Sequence, residues 1–129
     1  MTNEKKCADL VQSAYEGRIA DIRAMYEAED QTTEELGPLN EYGLSIDLVE
    51  AGTFEGQRAD YIRYQLSWGG PSEEFRIYKN GDVEFWYMDW FDGASVDVVG
   101  RDQEMITNIV CYGEDFDYVA NSMKERQNK

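Results

Sequence analysis

The sequence contains no histidine, and this absence removes several kinds of catalytic site. Ser-His and Cys-His pairs need an imidazole as the base, and many metal sites use it as a ligand. Pairs of Asp and Glu remain for acid–base chemistry, but a chain with 27 acidic residues forms many such pairs by chance. We therefore expect a protein that is not an enzyme and that holds no metal and no cofactor.

Cysteine is also scarce, because the chain has only Cys7 and Cys111. Two cysteines without a neighbouring histidine do not favour a zinc site. A single pair does not establish a disulfide, so a bridge and two free thiols both stay open. Two thiols in a reducing cytosol are the favoured interpretation.

Long apolar runs are absent as well. No run approaches the roughly 20 residues that a membrane helix needs. The polar segment 1–7 lacks the apolar core of a signal peptide. We expect a cytoplasmic protein without a membrane partner. With two prolines, no internal repeat and no linker, residues 1–129 are predicted to form one domain, whose oligomeric state the sequence leaves open.

Basic residues are few, and they are unevenly placed. The chain has 12 Lys and Arg against 27 Asp and Glu, for a formal net charge of -15. No basic residue lies between Arg23 and Arg58, a stretch with nine acids, and only Arg101 lies between Lys79 and Lys124, a stretch with ten. A domain with this field repels nucleic acid and attracts basic protein surfaces. We therefore expect a basic protein partner and no direct binding of nucleic acid.

The apolar residues predict an α+β domain. Helical spacing over about 3–29 indicates an N-terminal helix, and Thr32 with Glu35 suggests a capping box on a short helical turn. Alternation then indicates strands over 42–51, 59–68, 75–79 and 83–91, and a shorter one over 95–99. Asn80-Gly81 predicts a type I′ hairpin turn. Helical patterns return over 102–111 and after Gly113. We expect an antiparallel meander of about four strands, packed by the N-terminal helix and the C-terminal helices.

Aromatic residues concentrate on the predicted return strand, where five of them lie between Phe85 and Phe91. The charges among them are acidic, which disfavours a nucleic-acid platform. Most of these rings are expected in the core. Trp86 or Trp90 on the solvent face is a candidate anchor for a protein interface, since Trp is enriched at such positions.

The excess of acid has two interpretations. An acidic surface keeps a protein soluble, and halophilic adaptation is one reason for an extreme excess. Mimicry of a polyanion is another. Carboxylates two residues apart on a strand, as we expect for Asp82 and Glu84, lie about 6.6–6.8 Å apart. Phosphates on one DNA strand advance about 3.4 Å along the axis and further along the winding backbone, so the spacings are of similar order.

In size, charge, lack of histidine and compact α+β pattern, the chain resembles the small acidic counter-defence proteins of phages and plasmids, the anti-CRISPR and anti-restriction inhibitors. Segments 66–75 and 86–93 look like motifs of uncharacterised mobile-element proteins. The resemblance implies stoichiometric binding to the nucleic-acid groove of a defence nuclease or CRISPR effector. The location would then be the host cytoplasm if a phage encodes the chain. These inhibitors share no common motif, so the resemblance assigns no site residue.

These observations lead to one hypothesis and three alternatives. We expect a non-enzymatic inhibitor that acts by DNA or RNA mimicry. An immunity protein that neutralises a toxin nuclease, an acidic scaffold module without a nuclease partner, and a small hydrolase are the alternatives. The predicted partner-binding residues are Glu27, Glu29, Asp30, Glu34, Glu35, Asp82, Glu84, Trp86, Asp89, Trp90, Asp92 and Asp97.

Overall fold

The computed structural model describes residues 6–69, 71–89 and 92–127. The chain begins with helix α1 (Cys7–Glu27), and two very short strands follow, β1 (Thr32–Thr33) and β2 (Gly37–Pro38). Five longer strands come next: β3 (Ser45–Val49), β4 (Tyr61–Ser67), β5 (Ser72–Tyr78), β6 (Val83–Asp89) and β7 (Asp92–Val98). Helices α2 (Gly100–Cys111) and α3 (Phe116–Gln127) complete the described chain.

The five longer strands form one antiparallel sheet in the order β3-β4-β5-β6-β7, with each strand paired to its neighbours in sequence. The predicted α+β meander with N- and C-terminal helices is therefore confirmed. The sheet has five strands rather than about four, because the short strand expected at 95–99 is a full seven-residue strand, Asp92–Val98. Its register with β6 runs unbroken from Val83↔Val98 to Asp89↔Asp92.

The hairpin between β5 and β6 is present, but its turn differs from the prediction. Gly81 N–H donates to the Tyr78 carbonyl (3.0 Å), and Tyr78 N–H donates to the Asp82 carbonyl (2.9 Å). Within this fully described turn, positive φ falls on Gly81 alone. Lys79 and Asn80 are thus the central residues of a type I turn, and Gly81 adds a bulge. The Asn80 side chain supports this geometry by accepting the Asp82 N–H (2.9 Å).

All three helices pack on one face of the sheet. Alternate strand residues such as Ile62, Phe75 and Phe85 are fully buried and share one apolar cluster with Ile22 of α1 and Ile106 of α2. Phe75 and Phe85 meet edge to face, with ring centroids 5.1 Å apart. This arrangement follows from the period-two pattern of the strands, which puts every second side chain under the helices.

The segment between α1 and β3 departs from the prediction. Thr32 and Thr33 do not start a helical turn. They pair with Pro38 and Gly37 in the small β1-β2 hairpin. The Thr33 hydroxyl accepts the N–H of Leu36 across its turn (3.0 Å), so the side chain stabilises a tight loop rather than a helix end.

Two further expectations concern the thiols and membranes. Cys7 and Cys111 are both free and buried, as two structural thiols would be. In the described parts of the chain, no helix is long and apolar enough to cross a membrane.

Candidate protein-interaction surface

Residues 29–41, which we call the acidic segment, connect α1 to β3 and expose five carboxylates. The backbone turns sharply at its start, where Asp30 and Gln31 adopt positive φ values of 56° and 51°. Leu39 is buried and Leu36 packs against the core, so these two side chains fix the inner side of the segment. The acids point away from that anchor and are exposed: Glu29, Asp30, Glu34, Glu35 and Glu41.

Seven acidic residues outside this segment are paired with arginine or lysine. Arg18 makes a bidentate contact with Glu73 (3.1 and 3.0 Å), and the Arg23 guanidinium lies 2.6 Å from the Asp102 carboxylate. The other ion pairs are Arg23–Glu27, Arg63–Asp47, Arg76–Glu74, Lys79–Asp117 and Lys124–Glu50. Among the residues that the structure describes, none of these pairs involves the acidic segment. Its negative charge is therefore uncompensated within residues 6–69, 71–89 and 92–127.

A pocket of about 630 Å³ opens next to the acidic segment. Gln31 and Asn40 form part of its wall. In the sequence, Gln31 follows Asp30 and Asn40 precedes Glu41. Besides residues of the acidic segment, the lining comes from four other parts of the chain, namely the end of α1, the start of β3 with the loop before it, Tyr64 of β4, and the end of α2 with the two residues after it. Its main apolar and aromatic lining is Tyr26, Leu39, Leu44, Ile46, Tyr64, Ile109 and Tyr112.

The floor of this pocket is the ring of Tyr64. The ring is 3 % exposed and stacks on Phe75, with centroids 6.2 Å apart. Burial raises the pKa of Tyr64 to about 12, so the phenol keeps its proton at neutral pH. Gly43 lies directly against the ring, because a Cβ built there would overlap Tyr64. Glycine thus lets the chain close over the ring and shapes the pocket wall.

The rim of the pocket is unusually apolar for so polar a protein. Leu44 is 56 % exposed and Tyr112 is 81 % exposed. Tyr112 caps the C-terminal end of α2 in the left-handed conformation, with φ 52°. That conformation is rare for a residue other than glycine. Two large side chains therefore stand free at the mouth of the pocket.

A second pocket of about 360 Å³ continues from the first, since Ile46 and Tyr112 line both. Tyr118, Val119 and Met123 of α3 form its far wall. Its charged residues are Glu114 and Arg126. Together the two pockets form one surface, the edge groove, which runs beside the edge strand β3 and between the ends of α2 and α3.

The structure brings together only the first group of predicted partner-binding residues. Glu29, Asp30, Glu34 and Glu35 lie in the acidic segment, and Glu27 ends the helix that precedes it. Glu27 is 54 % exposed at its side chain but pairs with Arg23. These five predicted residues are all exposed and lie close together in the sequence, at the end of α1 and in the acidic segment.

The second group is dispersed, and several of its members have internal contacts. Asp82 lies in the hairpin turn before β6, so it does not form a strand row with Glu84. Glu84 accepts hydrogen bonds from the Tyr78 hydroxyl (2.8 Å) and the Trp86 indole (3.0 Å). Asp92 accepts the Cys7 N–H at the start of α1 (2.7 Å). Asp89 is half-buried at the end of β6, whereas Asp97 is exposed on β7, and Trp90 lies outside the described residues.

Glu84 and Trp86 lie on the face of the sheet opposite the helices, where both contact other residues of the chain. The strand registers place Asp47, Arg63, Arg76, Glu84 and Asp97 in one row across all five strands. Two opposed arginines sit at its centre, and Arg76 is held between the Trp86 ring (4.1 Å) and the Tyr61 ring (4.8 Å). Cation–π contacts and the flanking carboxylates offset the repulsion between the arginines. Trp86 is therefore an internal partner of Arg76 in this face.

The edge groove was not anticipated from the sequence. The predicted strand over 42–51 includes Leu44, but β3 begins only at Ser45. No local pattern links Gly43 to Tyr64, which it contacts, or Leu44 to Tyr112, which lines the same pocket, since only folding brings these residues to one surface. Across the described residues there is also no cluster of three or more Cys, Asp and Glu that could hold a metal ion.

Comparison with known proteins gives no match: no family model, no curated protein and no solved structure matches this chain. The function is therefore inferred from the acidic segment and the edge groove.

Proposed function

We propose that this protein is a non-enzymatic inhibitor that binds the basic, nucleic-acid-binding surface of another protein and thereby displaces nucleic acid. The observation that carries the proposal is the acidic segment. It holds five exposed carboxylates within thirteen consecutive residues, and none of them has an ion pair among the described residues, whereas seven acids elsewhere pair with arginine or lysine. The resemblance to counter-defence proteins makes a defence nuclease or a CRISPR effector the target class.

Electrostatics support this mode of action in two ways. A chain of net charge -15 repels nucleic acid and is steered towards a basic groove. Lys and Arg that normally contact phosphates then meet carboxylates instead. Association by such contacts is fast and weakens as salt rises, because the charges at the rim of an interface act mainly on the association rate.

A second candidate is an immunity protein that neutralises a toxin nuclease. The exposed Leu44 and Tyr112 beside the acidic segment favour it, because a dedicated partner uses apolar anchors as well as charge. The two candidates differ in what nucleic acid does. DNA or RNA competes with an inhibitor that occupies the nucleic-acid groove, but it leaves intact a complex formed at another surface.

The test begins with a pull-down from the native host at low and moderate salt, followed by binding measurements with the purified partner. A five-fold variant removes the charge of the acidic segment: E29Q, D30N, E34Q, E35Q and E41Q. A matched control removes five exposed acids that are not predicted partner contacts, and thus changes the net charge equally: D9N, E16Q, E55Q, E104Q and E125Q.

We expect a basic nucleic-acid-binding partner that DNA or RNA displaces. The first variant should weaken binding by at least about tenfold more than the control, because several charge contacts are lost together. Equal weakening by both variants would show that net charge alone acts. Full binding by the first variant, or no basic partner at either salt, would overturn the proposal.

A further inference from the structure

We infer that the edge groove receives a basic amphipathic helix of the partner, with apolar side chains in the groove and Lys or Arg against the acidic segment. This inference rests on the proposed function and adds the chemistry of the segment that is bound. Its starting point is the shape of the groove, whose two pockets of about 630 and 360 Å³ adjoin at Ile46 and Tyr112. Each falls in the range of pockets that hold ligand groups.

The composition of the groove indicates the apolar half of the occupant. Tyr64 forms the floor of the larger pocket, and Leu44 and Tyr112 stand exposed at its mouth. Large apolar side chains in water favour a partner that covers them. An amphipathic helix carries apolar side chains at i and i+3 or i+4 on one face, and such a face can fill two adjoining pockets.

The charge around the groove indicates the other half. Asp30 and Glu41 adjoin wall residues of the larger pocket, and Glu114 lines the smaller one. Arg126 is the basic residue of that lining. The charged lining of the smaller pocket is balanced, and the negative charge comes from the acidic segment, which forms part of the wall of the larger pocket through Gln31 and Asn40. This charge complements lysine or arginine, whereas an acidic partner helix would be repelled.

The edge of the sheet argues for a helix rather than an added strand. β3 is an edge strand, and partners often extend such an edge by backbone pairing. Here the Gln127 side chain already binds Leu48 of β3, accepting its N–H (2.9 Å) and donating to its carbonyl (3.2 Å). An incoming strand would have to displace these two hydrogen bonds. A helix that contacts the groove through its side chains would not.

The test uses a defined probe, a peptide of about 14 residues with leucine on one helical face and lysine on the other. A second peptide replaces leucine by serine at equal charge, and a third replaces lysine by glutamate. Binding to the full chain is measured by NMR, from the changes in its backbone amide chemical shifts as peptide is added. The expected result is saturable binding of the Leu/Lys peptide alone, with shifts concentrated at Gly43, Leu44, Ser45, Ile109 and Gly113.

Paired variants locate the site. L44S/Y112N removes the two exposed side chains at the mouth, and asparagine tolerates the left-handed conformation at Tyr112. F54S/V99S removes two exposed apolar side chains elsewhere and serves as the control. We expect L44S/Y112N to weaken peptide binding by about tenfold and the control to leave it unchanged. Shifts outside the groove, equal binding of the serine peptide, or equal effects of the two variants would overturn the inference.

The same variants separate this inference from the proposed function. If the five-fold acidic variant abolishes binding of the native partner while L44S/Y112N does not weaken it, the inhibitor function stands and the helix site falls. If neither variant weakens the native complex, both fall. Loss of binding in both would support the groove and the acidic segment as one interface.

Discussion

At the scale of single residues, the pocket depends on a glycine whose role is purely steric. Gly43 needs no positive φ, but its missing side chain lets the loop before β3 lie on the Tyr64 ring. Tyr64 in turn stacks on Phe75, which is completely buried. The pocket floor is therefore continuous with the core. A side chain added at Gly43 would disturb the packing of both.

Gly43→Ala should destabilise the protein by about 1–3 kcal/mol, because the added methyl must push the ring or the loop away. Urea denaturation measures the change. Gly17→Ala is the matched control, since Gly17 lies in α1 with nothing within 4 Å of an added Cβ. There, alanine should stabilise by about 0.5–1 kcal/mol through helix propensity. A stable Gly43→Ala protein would show that Gly43 and the ring are not in contact.

At the scale of elements, α1 is held at its first turn by the last strand of the sheet. The Asp92 carboxylate accepts the N–H of Cys7 at 2.7 Å, across 85 residues of sequence. This N–H is one of those that a helix start leaves without an internal partner, and a negative charge is favourable there. The contact lowers the pKa of Asp92. Asp92, predicted as a partner contact, thus has a role in the fold.

Asp92→Ala should lower the melting temperature at pH 7. It should also reduce the protection of backbone amides in the first turn of α1 against hydrogen exchange. Because the folded-state pKa of Asp92 is lowered, its contribution is present above its ordinary pKa of 3.8 and disappears as pH falls through the folded-state value. The difference between wild type and variant should therefore shrink as the pH is lowered below 3.8. Asp97→Ala, at an exposed position on the same strand, is the control. A difference that persists at low pH would exclude the carboxylate as the cause.

The elements themselves were largely predictable, because periodicity reports which side chains are covered. Alternation in Phe75–Ile77 and Val83–Phe85 is a local signal, and it correctly predicted the hairpin and the helix-covered face. The turn type was not predictable from Asn80-Gly81, since the same pair fits two loop lengths. Thr32 and Glu35 likewise match a capping box, but their backbone is fixed by pairing between Thr33 and Gly37.

The candidate site was predictable only in its charge. The acids of the acidic segment are adjacent in sequence, so their clustering needed no tertiary information. The edge groove is different, because Leu44, Tyr64 and Tyr112 come from separate parts of the chain. Trp86 is a different case, because the sequence predicted it as a partner contact and the structure shows it in contact with Arg76 of the same chain. Its partner Arg76 lies on the neighbouring strand, and only the register of β5 and β6 brings them together.

At the scale of the whole molecule, the ion pairs leave a large negative excess that opposes folding. The described pairs engage Arg18, Arg23, Arg63, Arg76, Lys79 and Lys124. The net charge nevertheless stays at -15. Repulsion among the remaining acids is long-ranged in dilute buffer and is screened by salt.

Raising the salt concentration from 0.01 M to 0.1 M should therefore raise the melting temperature, since the screening length falls from about 30 Å to about 10 Å. Differential scanning calorimetry in sodium chloride and in choline chloride measures the effect and excludes specific binding of sodium. The five-fold variant of the acidic segment should show a smaller rise and a higher melting temperature at low salt. A melting temperature independent of salt would contradict the repulsion argument.

The placement of α1 also matters while the chain is being made. Its apolar stripe packs mainly on β6 and β7, which follow it by more than fifty residues. At about 5–20 residues per second, a ribosome needs several seconds to produce these strands after α1 has emerged. During that interval the nascent helix has no core to cover it. Four acids against Arg18 and Arg23 leave α1 with a net charge of -2, so nascent helices on neighbouring ribosomes repel one another during that interval.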